Sequence, residues 1–320
     1  MSGPPERALA HVRALGVAGV VPPVVAGSSV TVSFHPDRLL ADGSTVAQRL
    51  AAEGVYRSQF ETGISNGGLT AFPGGDRDVW ERRMFGGAYG ALAAGRPVYG
   101  ALNLAGFADG GSPRFGSCFL RLDPAVSARA SFSHGDSVTE PTVVGTLDTF
   151  AGIWAALLAE VASTGAALGL AAASPGEWVE ALTGPRTGPG RSLDDYVEAQ
   201  IHGPLELGGA VQAVVADPSF AGTPTGALLS GLAPRLEYHQ GFVLAPDAFP
   251  AALRTALTPR VAASVADRFA VPVLNAEVVG RAARAVVRDP GSWARFGSPA
   301  EVLQELKYVW HILVLRGGPA

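Results

Sequence analysis

A change of pattern at Pro246 constrains the fold of this chain more than any other feature of its 320 residues. Before Pro246 short strand-like segments alternate with helical ones, whereas after it only helical segments follow. Strands mixed with helices, followed by helices alone, indicate an α+β fold. We therefore predict an N-terminal helical segment over residues 1–26, an α+β core over residues 27–245 and a C-terminal helical region over residues 246–320.

The individual segments follow from the spacing of apolar residues and from helix-end signals. Ser174 and Ser298 each precede a proline and stand three residues before a glutamate, which is the signature of a helix start. Strands are predicted over residues 30–34, 97–104, 117–122, 129–133, 196–202, 211–216 and 236–244. Helices are predicted over residues 5–15, 45–52, 78–89, 147–173, 251–270, 275–287 and 302–315, with one more starting at Ser174.

The composition excludes several classes of protein. Hydrophobic residues make up 48% and charged residues 16%, a balance typical of a folded chain. The net charge of −4 gives no general attraction to nucleic acid or to anionic membranes. Almost all basic side chains are arginine, and Lys307 is the only lysine.

Compartment and membrane contact are predicted from Cys118 and from one apolar stretch. Cys118 is the only cysteine, which excludes an intrachain disulfide and favours a reducing compartment. The stretch 17–26 contains two prolines and is shorter than the ~20 residues that a membrane helix needs. We therefore expect a cytoplasmic protein without a membrane partner.

The predicted strand 196–202 carries an unusual row of polar side chains. Because side chains alternate along a strand, Tyr196, Glu198, Gln200 and His202 share one face, opposite three apolar residues. A solvent-exposed face usually carries Thr, Lys or Arg, whereas four groups that form hydrogen bonds or titrate suit a polar cleft. A half-exposed strand is the alternative interpretation. Glu198 is the predicted working carboxylate of the cleft.

His35 and Arg38 follow the predicted strand 30–34 and could reach the same cleft from a neighbouring strand. A guanidinium binds phosphate oxygens through two N–H groups, and an imidazole hydrogen bonds to a sugar hydroxyl, so this pair suits a dinucleotide. The alternative is that Arg38 pairs with Asp37 or Asp42 at the surface.

The segment 62–68 is a loop rich in Gly, Ser and Asn. Thr62, Ser65, Asn66 and Gly67 offer backbone N–H groups and short polar side chains, which a phosphate-binding or amide-binding loop needs. The loop matches neither a P-loop nor the Gly-x-Gly-x-x-Gly dinucleotide motif. An ordinary turn is the alternative interpretation.

The order of these segments resembles the ADP-ribosyltransferase superfamily. His35 or Arg38 matches its first NAD-binding position, the segment from Tyr56 through Ser65 matches its central strand and loop, and Glu198 matches its late catalytic glutamate. The resemblance implies an α+β fold with a split, antiparallel-rich sheet, flanking helices and a C-terminal helical appendage. The segments 114–119 and 307–311 also resemble those of a bacterial family of uncharacterised proteins.

The same resemblance implies NAD as substrate and a role for each matched residue. Glu198 would stabilise the oxocarbenium-like transition state that forms as the nicotinamide–ribose bond breaks. The resemblance also implies that NAD is contacted by His35, Arg38, Arg57, Thr62, Ser65, Asn66 and Gly67. It implies that the substrate is contacted by Tyr196, Gln200, His202, Arg186 and Arg191. Arg186 and Arg191 belong to a loop that would meet the acceptor. Tyr196 stands where the superfamily usually has Gln or Glu, which makes an arginine acceptor less favoured.

Two other functions stay open from the sequence. A nucleotide-binding module would use the same cleft without releasing nicotinamide. A metal-dependent hydrolase would bring together His35, His202 and His239, although no His-Glu-x-x-His or Cys-x-x-Cys spacing supports it. The acceptor, whether protein, nucleic acid or small molecule, is left open, and the C-terminal helices are expected to cover the cleft or to contact a partner.

Overall fold

The computed structural model describes residues 2–64, 70–91, 94–184, 186 and 188–320. Eight of its strands form one sheet in the order β12-β11-β4-β1-β3-β9-β5-β6, and two short pairs lie outside it. The strands are β1 (Val30–Phe34), β2 (Val55–Tyr56), β3 (Val98–Leu102), β4 (Cys118–Leu122), β5 (Ala130–His134), β6 (Val144–Thr146), β7 (Ala166–Ala167), β8 (Leu170–Ala171), β9 (Val197–Ile201), β10 (Leu205–Glu206), β11 (Val211–Ala216) and β12 (Leu236–Tyr238).

The large sheet is antiparallel except at one edge, where β11 and β12 run parallel. The prediction of an α+β fold with an antiparallel-rich sheet and flanking helices is therefore confirmed. The predicted split of the sheet is wrong for the described residues, because β9 pairs with β3 on one side and with β5 on the other and so joins the two halves.

Helices cover the sheet and form most of the chain after Pro246. The two predicted helix starts are confirmed, since the hydroxyl groups of Ser174 and Ser298 accept hydrogen bonds from the N–H groups three residues later. The helices are α1 (Pro4–Leu15), α2 (Pro23–Gly27), α3 (Val46–Glu53), α4 (Gln59–Thr62), α5 (Asp76–Met84), α6 (Ala151–Thr164), α7 (Pro175–Leu182), α8 (Leu207–Ala210), α9 (Pro224–Leu229), α10 (Thr258–Phe269), α11 (Ala276–Arg288) and α12 (Pro299–Arg316). Among the described residues, none of the helices combines the length and the apolar character needed to span a membrane.

Several predicted segments are longer than the elements that form. The helix predicted over residues 147–173 ends at Thr164, because Gly165 adopts a left-handed conformation and the hairpin of β7 and β8 follows. The strand predicted over residues 236–244 ends at Tyr238. The helix predicted from residue 251 starts at Thr258 as α10, after short 3-10 turns.

The C-terminal helices share the core of the sheet. Val309 and Trp310 of α12 are buried in the same apolar cluster as Phe34 of β1 and Leu120 of β4. Gly116 permits the close approach between the turn Pro113–Phe115 and β1, because a Cβ atom there would lie 2.2 Å from the backbone of Phe34. As a result, α12 lies beside the 113–115 turn and close to the end of β1.

Candidate functional site

The strand β9 lies inside the sheet, and its polar face is buried. Glu198, Gln200 and His202 are each at most 5% exposed, and Tyr196 just before the strand is 4% exposed. The half-exposed alternative for this strand is therefore wrong. Polar groups buried in this way need partners or a ligand, because desolvation without a hydrogen bond is unfavourable.

A cavity opens at one end of this polar row. Counted with its open mouth and the solvent in front of it, the cavity holds about 1060 Å³ of empty space. Six residues predicted from the sequence line it together, namely His35, Arg38, Arg57, Thr62, Tyr196 and Glu198. Other lining residues with polar side chains include Ser33, Tyr56, Gln59, Arg77, Tyr99, Ser112 and Asp136.

Glu198 is held in place by hydrogen bonds to both carboxylate oxygens. Its Oε1 accepts from Gln200 Nε2 at 3.0 Å, and its Oε2 accepts from the hydroxyl and the N–H of Ser137 at 3.2 and 3.4 Å. Burial raises the pKa of Glu198 from 4.5 to about 7, because it disfavours the charged form more than the Arg77 guanidinium favours it. At neutral pH the side chain is therefore divided between acid and carboxylate.

Arg77 of α5 is the cationic neighbour of this carboxylate. Its side chain is buried, and its Nη1 donates to the hydroxyl of Ser137 at 3.2 Å, so this hydroxyl connects Arg77 to Glu198. The guanidinium also lies over the ring of Tyr99, 4.1 Å from the ring centroid. The sequence analysis missed Arg77, because a helix with charges at six of its nine positions is typical of a solvent-exposed surface.

A buried ion network fixes α5, and therefore Arg77, against the sheet. The Arg96 guanidinium donates to Asp78 at 2.6 Å and to Glu81 at 2.8 Å, and all three side chains are at most 1% exposed. The Tyr99 hydroxyl of β3 donates to the other oxygen of Glu81 at 2.8 Å. Several ionic hydrogen bonds thus hold α5 in one register on β3.

Four buried polar atoms around the cavity have no hydrogen-bond partner among the described residues. They are Ser33 Oγ, Gln59 Oε1, Arg77 Nε and the Tyr196 hydroxyl oxygen. Each belongs to a residue that lines the cavity. A buried polar group without a partner costs about 1–3 kcal/mol, so their position at one cavity suits a ligand that supplies donors and an acceptor.

His35 joins the cavity to the C-terminal helix α12. Its ring contacts the Trp310 ring edge to face at a centroid distance of 5.5 Å, and its Nδ1 lies 3.4 Å from the Ser117 hydroxyl. Burial, then the positive charges of Arg38 and Lys307, lowers the pKa of His35 to about 3. Its imidazole is therefore neutral at physiological pH and has one N–H to donate.

Arg57 and Thr62 line the cavity but already have partners. Arg57 is half exposed and forms ion pairs with Glu53 at 2.7 Å and Glu61 at 3.1 Å. The Thr62 hydroxyl donates to the Ser58 carbonyl at 3.1 Å. The predicted loop residues Ser65, Asn66 and Gly67 lie outside the described residues.

Gln200 and His202 belong to the buried polar row but do not line the cavity. Gln200 Nε2 binds Glu198, and its Oε1 accepts from the Ser131 hydroxyl at 2.7 Å. His202 lies between the Tyr89 hydroxyl, 2.5 Å from Nδ1, and the Ser131 hydroxyl, 2.9 Å from Nε2. The contacts of these two residues are internal, so the geometry gives them a supporting role where the sequence predicted a substrate contact.

Arg186 and Arg191 lie away from the cavity. Arg186 Nη2 donates to the Ala181 carbonyl, and Arg191 Nη2 donates to the carbonyl of Gly317, just after α12, at 2.7 Å. Neither residue lines the space in front of Glu198. That the loop 183–192 meets an acceptor stays a prediction.

The described residues offer no group of three or more His, Cys, Asp or Glu side chains that could hold a metal ion. Two of the three histidines of the metal hypothesis contact different atoms of Ser117, and the third, His202, has other partners. His239 Nε2 lies 3.1 Å from the Ser117 carbonyl and its Nδ1 accepts from Gly241 N–H, while His35 contacts Trp310 and His202 binds Tyr89.

The chain matches the model of a known protein family. Residues 29–315 match the family model described as "Protein of unknown function (DUF3626)", and the chain belongs to this family. The sequence-based expectation of a family of uncharacterised proteins is thereby confirmed. The curated proteins contain no match to the chain.

Proposed function

We propose that this protein cleaves the nicotinamide–ribose bond of NAD and transfers ADP-ribose to an acceptor or to water, with Glu198 as the catalytic carboxylate. The observation that carries the proposal is the buried Glu198 at a cavity that also contains His35 and Arg38. These residues come from distant parts of the sequence and match the positions that the superfamily resemblance requires.

The chemistry suits a buried carboxylate. As the bond between ribose C1′ and the nicotinamide nitrogen breaks, its electron pair moves to the nicotinamide ring and positive charge develops on the sugar. An ionised Glu198 would stabilise this charge more than it stabilises the ground state, which is what lowers a barrier. Water or an acceptor hydroxyl then bonds to C1′ and releases a proton.

NAD itself would favour the required ionisation. The pKa of Glu198 is raised to about 7 by burial, so about half of the molecules carry the acid at neutral pH. The oxidised nicotinamide ring is a cation, and a positive charge close to a carboxylate lowers its pKa. Binding of NAD would therefore expel the proton and produce the form that catalysis needs.

The remaining lining residues supply the hydrogen bonds that a dinucleotide requires. Arg77 Nε is an unused donor, and the Tyr196 hydroxyl and Ser33 Oγ have no partner among the described residues. The neutral His35 has one N–H for a ribose hydroxyl. These groups suit the sugar hydroxyls and the carboxamide of NAD, whereas Arg38 suits its phosphates.

Nicotinamide release from NAD tests the proposal. Wild-type protein should release nicotinamide when bacterial lysate supplies the acceptor, and Glu198→Gln should lower the rate by about 10²–10³ while NAD still binds. Glu180→Gln is the matched control, because Glu180 is exposed on α7. Equal turnover by wild type and Glu198→Gln would show that Glu198 is not the catalyst. Failure of the wild type to bind NAD would contradict the NAD hypothesis as a whole.

A non-catalytic nucleotide-binding module is the second candidate. It is favoured by the hydrogen bonds that already satisfy both oxygens of Glu198, since a structural carboxylate has the same surroundings. Calorimetry with NAD separates the two functions: NAD that binds and is recovered intact after incubation with lysate supports the module. Release of nicotinamide that depends on Glu198 excludes it.

A further inference from the structure

The helix α12 brings a second group of polar side chains next to the cavity. The Trp310 indole donates to the Pro113 carbonyl at 2.9 Å, which anchors α12 beside the turn that carries Arg114. Lys307 and His311 are four residues apart on α12 and therefore lie on one face of it. Arg254, just before α10, lies over the ring of Tyr308, which in turn contacts His311.

These four residues, Arg114, Arg254, Lys307 and His311, are called the α12 cation cluster. Burial, then the positive charges of Arg114, Arg38 and Arg254, lowers the pKa of Lys307, while Asp136 opposes this effect. Burial, then Arg254, Arg114 and Lys307, lowers the pKa of His311 to about 2, so its ring is neutral. The cluster therefore contains three cationic side chains and one neutral imidazole.

Several nitrogen atoms of the α12 cation cluster have no hydrogen-bond partner among the described residues. They are the Nε atoms of Arg114 and Arg254 and both ring nitrogens of His311, a side chain that is 2% exposed. The carboxylates at the cluster are Asp194, which pairs with Arg114, and Asp136, 3.7 Å from Arg114. Within the described part of the chain, Arg254 and Lys307 form no ion pair.

The cluster lies beside two cavities. Asp136 lines the cavity of Glu198, whereas Arg254 and Asp194 line a neighbouring cleft, and Tyr196 lines both. Arg114 contacts Asp136, which lines the first cavity, and Asp194, which lines the second. A ligand group bound at the cluster would therefore lie close to a substrate held by Glu198.

We propose that the α12 cation cluster binds a phosphate group of a ligand that extends from the Glu198 cavity. Two guanidinium groups and one ammonium are the donors that phosphate oxygens prefer, and the buried histidine adds one neutral N–H. The phosphate comes either from the diphosphate of a dinucleotide or from a phosphorylated acceptor. The proposal does not depend on the chemistry of Glu198, because phosphate binding requires no turnover.

Lys307 provides a direct measurement, because it is the only lysine of the chain. Its acetylation by an amine-specific reagent, followed by peptide mass spectrometry, should slow at least threefold in saturating inorganic pyrophosphate. Arg254→Gln should raise the pyrophosphate concentration needed for half-maximal protection about tenfold or more, because a hydrogen bond to a charged group is lost. Arg260→Gln is the matched control, because Arg260 is exposed on α10, and it should leave protection unchanged.

Thermal unfolding provides a second measurement that does not depend on access of the reagent to Lys307. Pyrophosphate should raise the Tm of wild type and Arg260→Gln, and raise it less for Arg254→Gln. Absence of both protection and a Tm shift in wild type would overturn the proposal, as would equal effects in Arg254→Gln.

The source of the phosphate is found by exchanging the ligand. Protection of Lys307 by NAD or ADP-ribose, lost in Arg254→Gln, identifies the diphosphate of a dinucleotide. Protection by pyrophosphate and by a 5′-phosphorylated oligonucleotide, but not by NAD, identifies a phosphorylated acceptor. Both results support the phosphate site, and nicotinamide release by Arg254→Gln tests the function of Glu198 separately.

Discussion

Replacing Glu198 by glutamine should stabilise the protein at alkaline pH while it removes the proposed activity. The pKa of Glu198 is raised from 4.5 to about 7, so the folded protein holds this proton more tightly than the unfolded chain does. Folding then opposes ionisation of Glu198 at every pH above 4.5, and the cost increases until the pH passes about 7. Below pH 4.5 the carboxyl group is protonated in both states and contributes no difference.

The size of the effect follows from the same two values. Each pH unit between the two pKa values corresponds to 1.36 kcal/mol, so ionisation of Glu198 costs the folded state about 3 kcal/mol at pH 8 and about 1 kcal/mol at pH 5. Glutamine does not ionise and avoids this cost. Its amide nitrogen would face Gln200 Nε2, another donor, which removes one hydrogen bond at a cost of about 1 kcal/mol at every pH.

Urea unfolding at pH 5, 6, 7 and 8, followed by tryptophan fluorescence, measures this effect. Relative to wild type, the free energy of unfolding of Glu198→Gln should rise by about 2.5 kcal/mol between pH 5 and pH 8. Glu180→Gln should keep a constant difference from wild type within about 0.5 kcal/mol. A constant difference for Glu198→Gln as well would refute the reasoning, because Glu198 would then titrate in the folded protein at its ordinary pKa.

Three further measurements test other parts of the site. If Glu198 must be ionised, kcat/KM for NAD should rise with pH through about 7 and then level off; a flat profile between pH 6 and 8 would contradict this role. Burial lowers the pKa of His202 to about 3. Between pH 7 and pH 5 the free energy of unfolding of wild type should therefore fall by about 2 kcal/mol more than that of His202→Asn. Equal losses for the two proteins in urea unfolding would contradict the neutral state of His202. Arg96→Gln would leave Asp78 and Glu81 buried without their cation and should lower the free energy of unfolding by about 3–5 kcal/mol, whereas a loss under 1 kcal/mol would show that the network is dispensable.

The polar strand of the site could be predicted because its signal is local. The period of two in Tyr196, Glu198, Gln200 and His202 places them on one face whatever the rest of the fold does. The end of β1 could be predicted in the same way, since Pro36 stops the strand after His35. The predicted bounds of the strand 211–216 also matched those of β11.

The residues that the sequence analysis missed depend on contacts between distant segments. Arg77 lies 121 positions from Glu198 in the sequence, and the Ser137 hydroxyl connects the two side chains, while Arg96 binds two carboxylates of the same helix. Ser137 meets Glu198 because β5 pairs with β9 and carries the 3-10 turn after its end to the same place. Such pairings are set by the register of the sheet, which a single sequence without an alignment does not reveal.

The distribution of unfavourable groups is itself an argument for a ligand at this place. Ionised Glu198 costs the fold about 3 kcal/mol at alkaline pH, and four polar atoms at its cavity have no partner among the described residues. Arg96 is just as deeply buried, yet its charge is matched by Asp78 and Glu81. The chain can therefore satisfy buried charges where structure alone requires it. Several unsatisfied groups together at one cavity favour the proposed polar ligand, which would complete their hydrogen bonds.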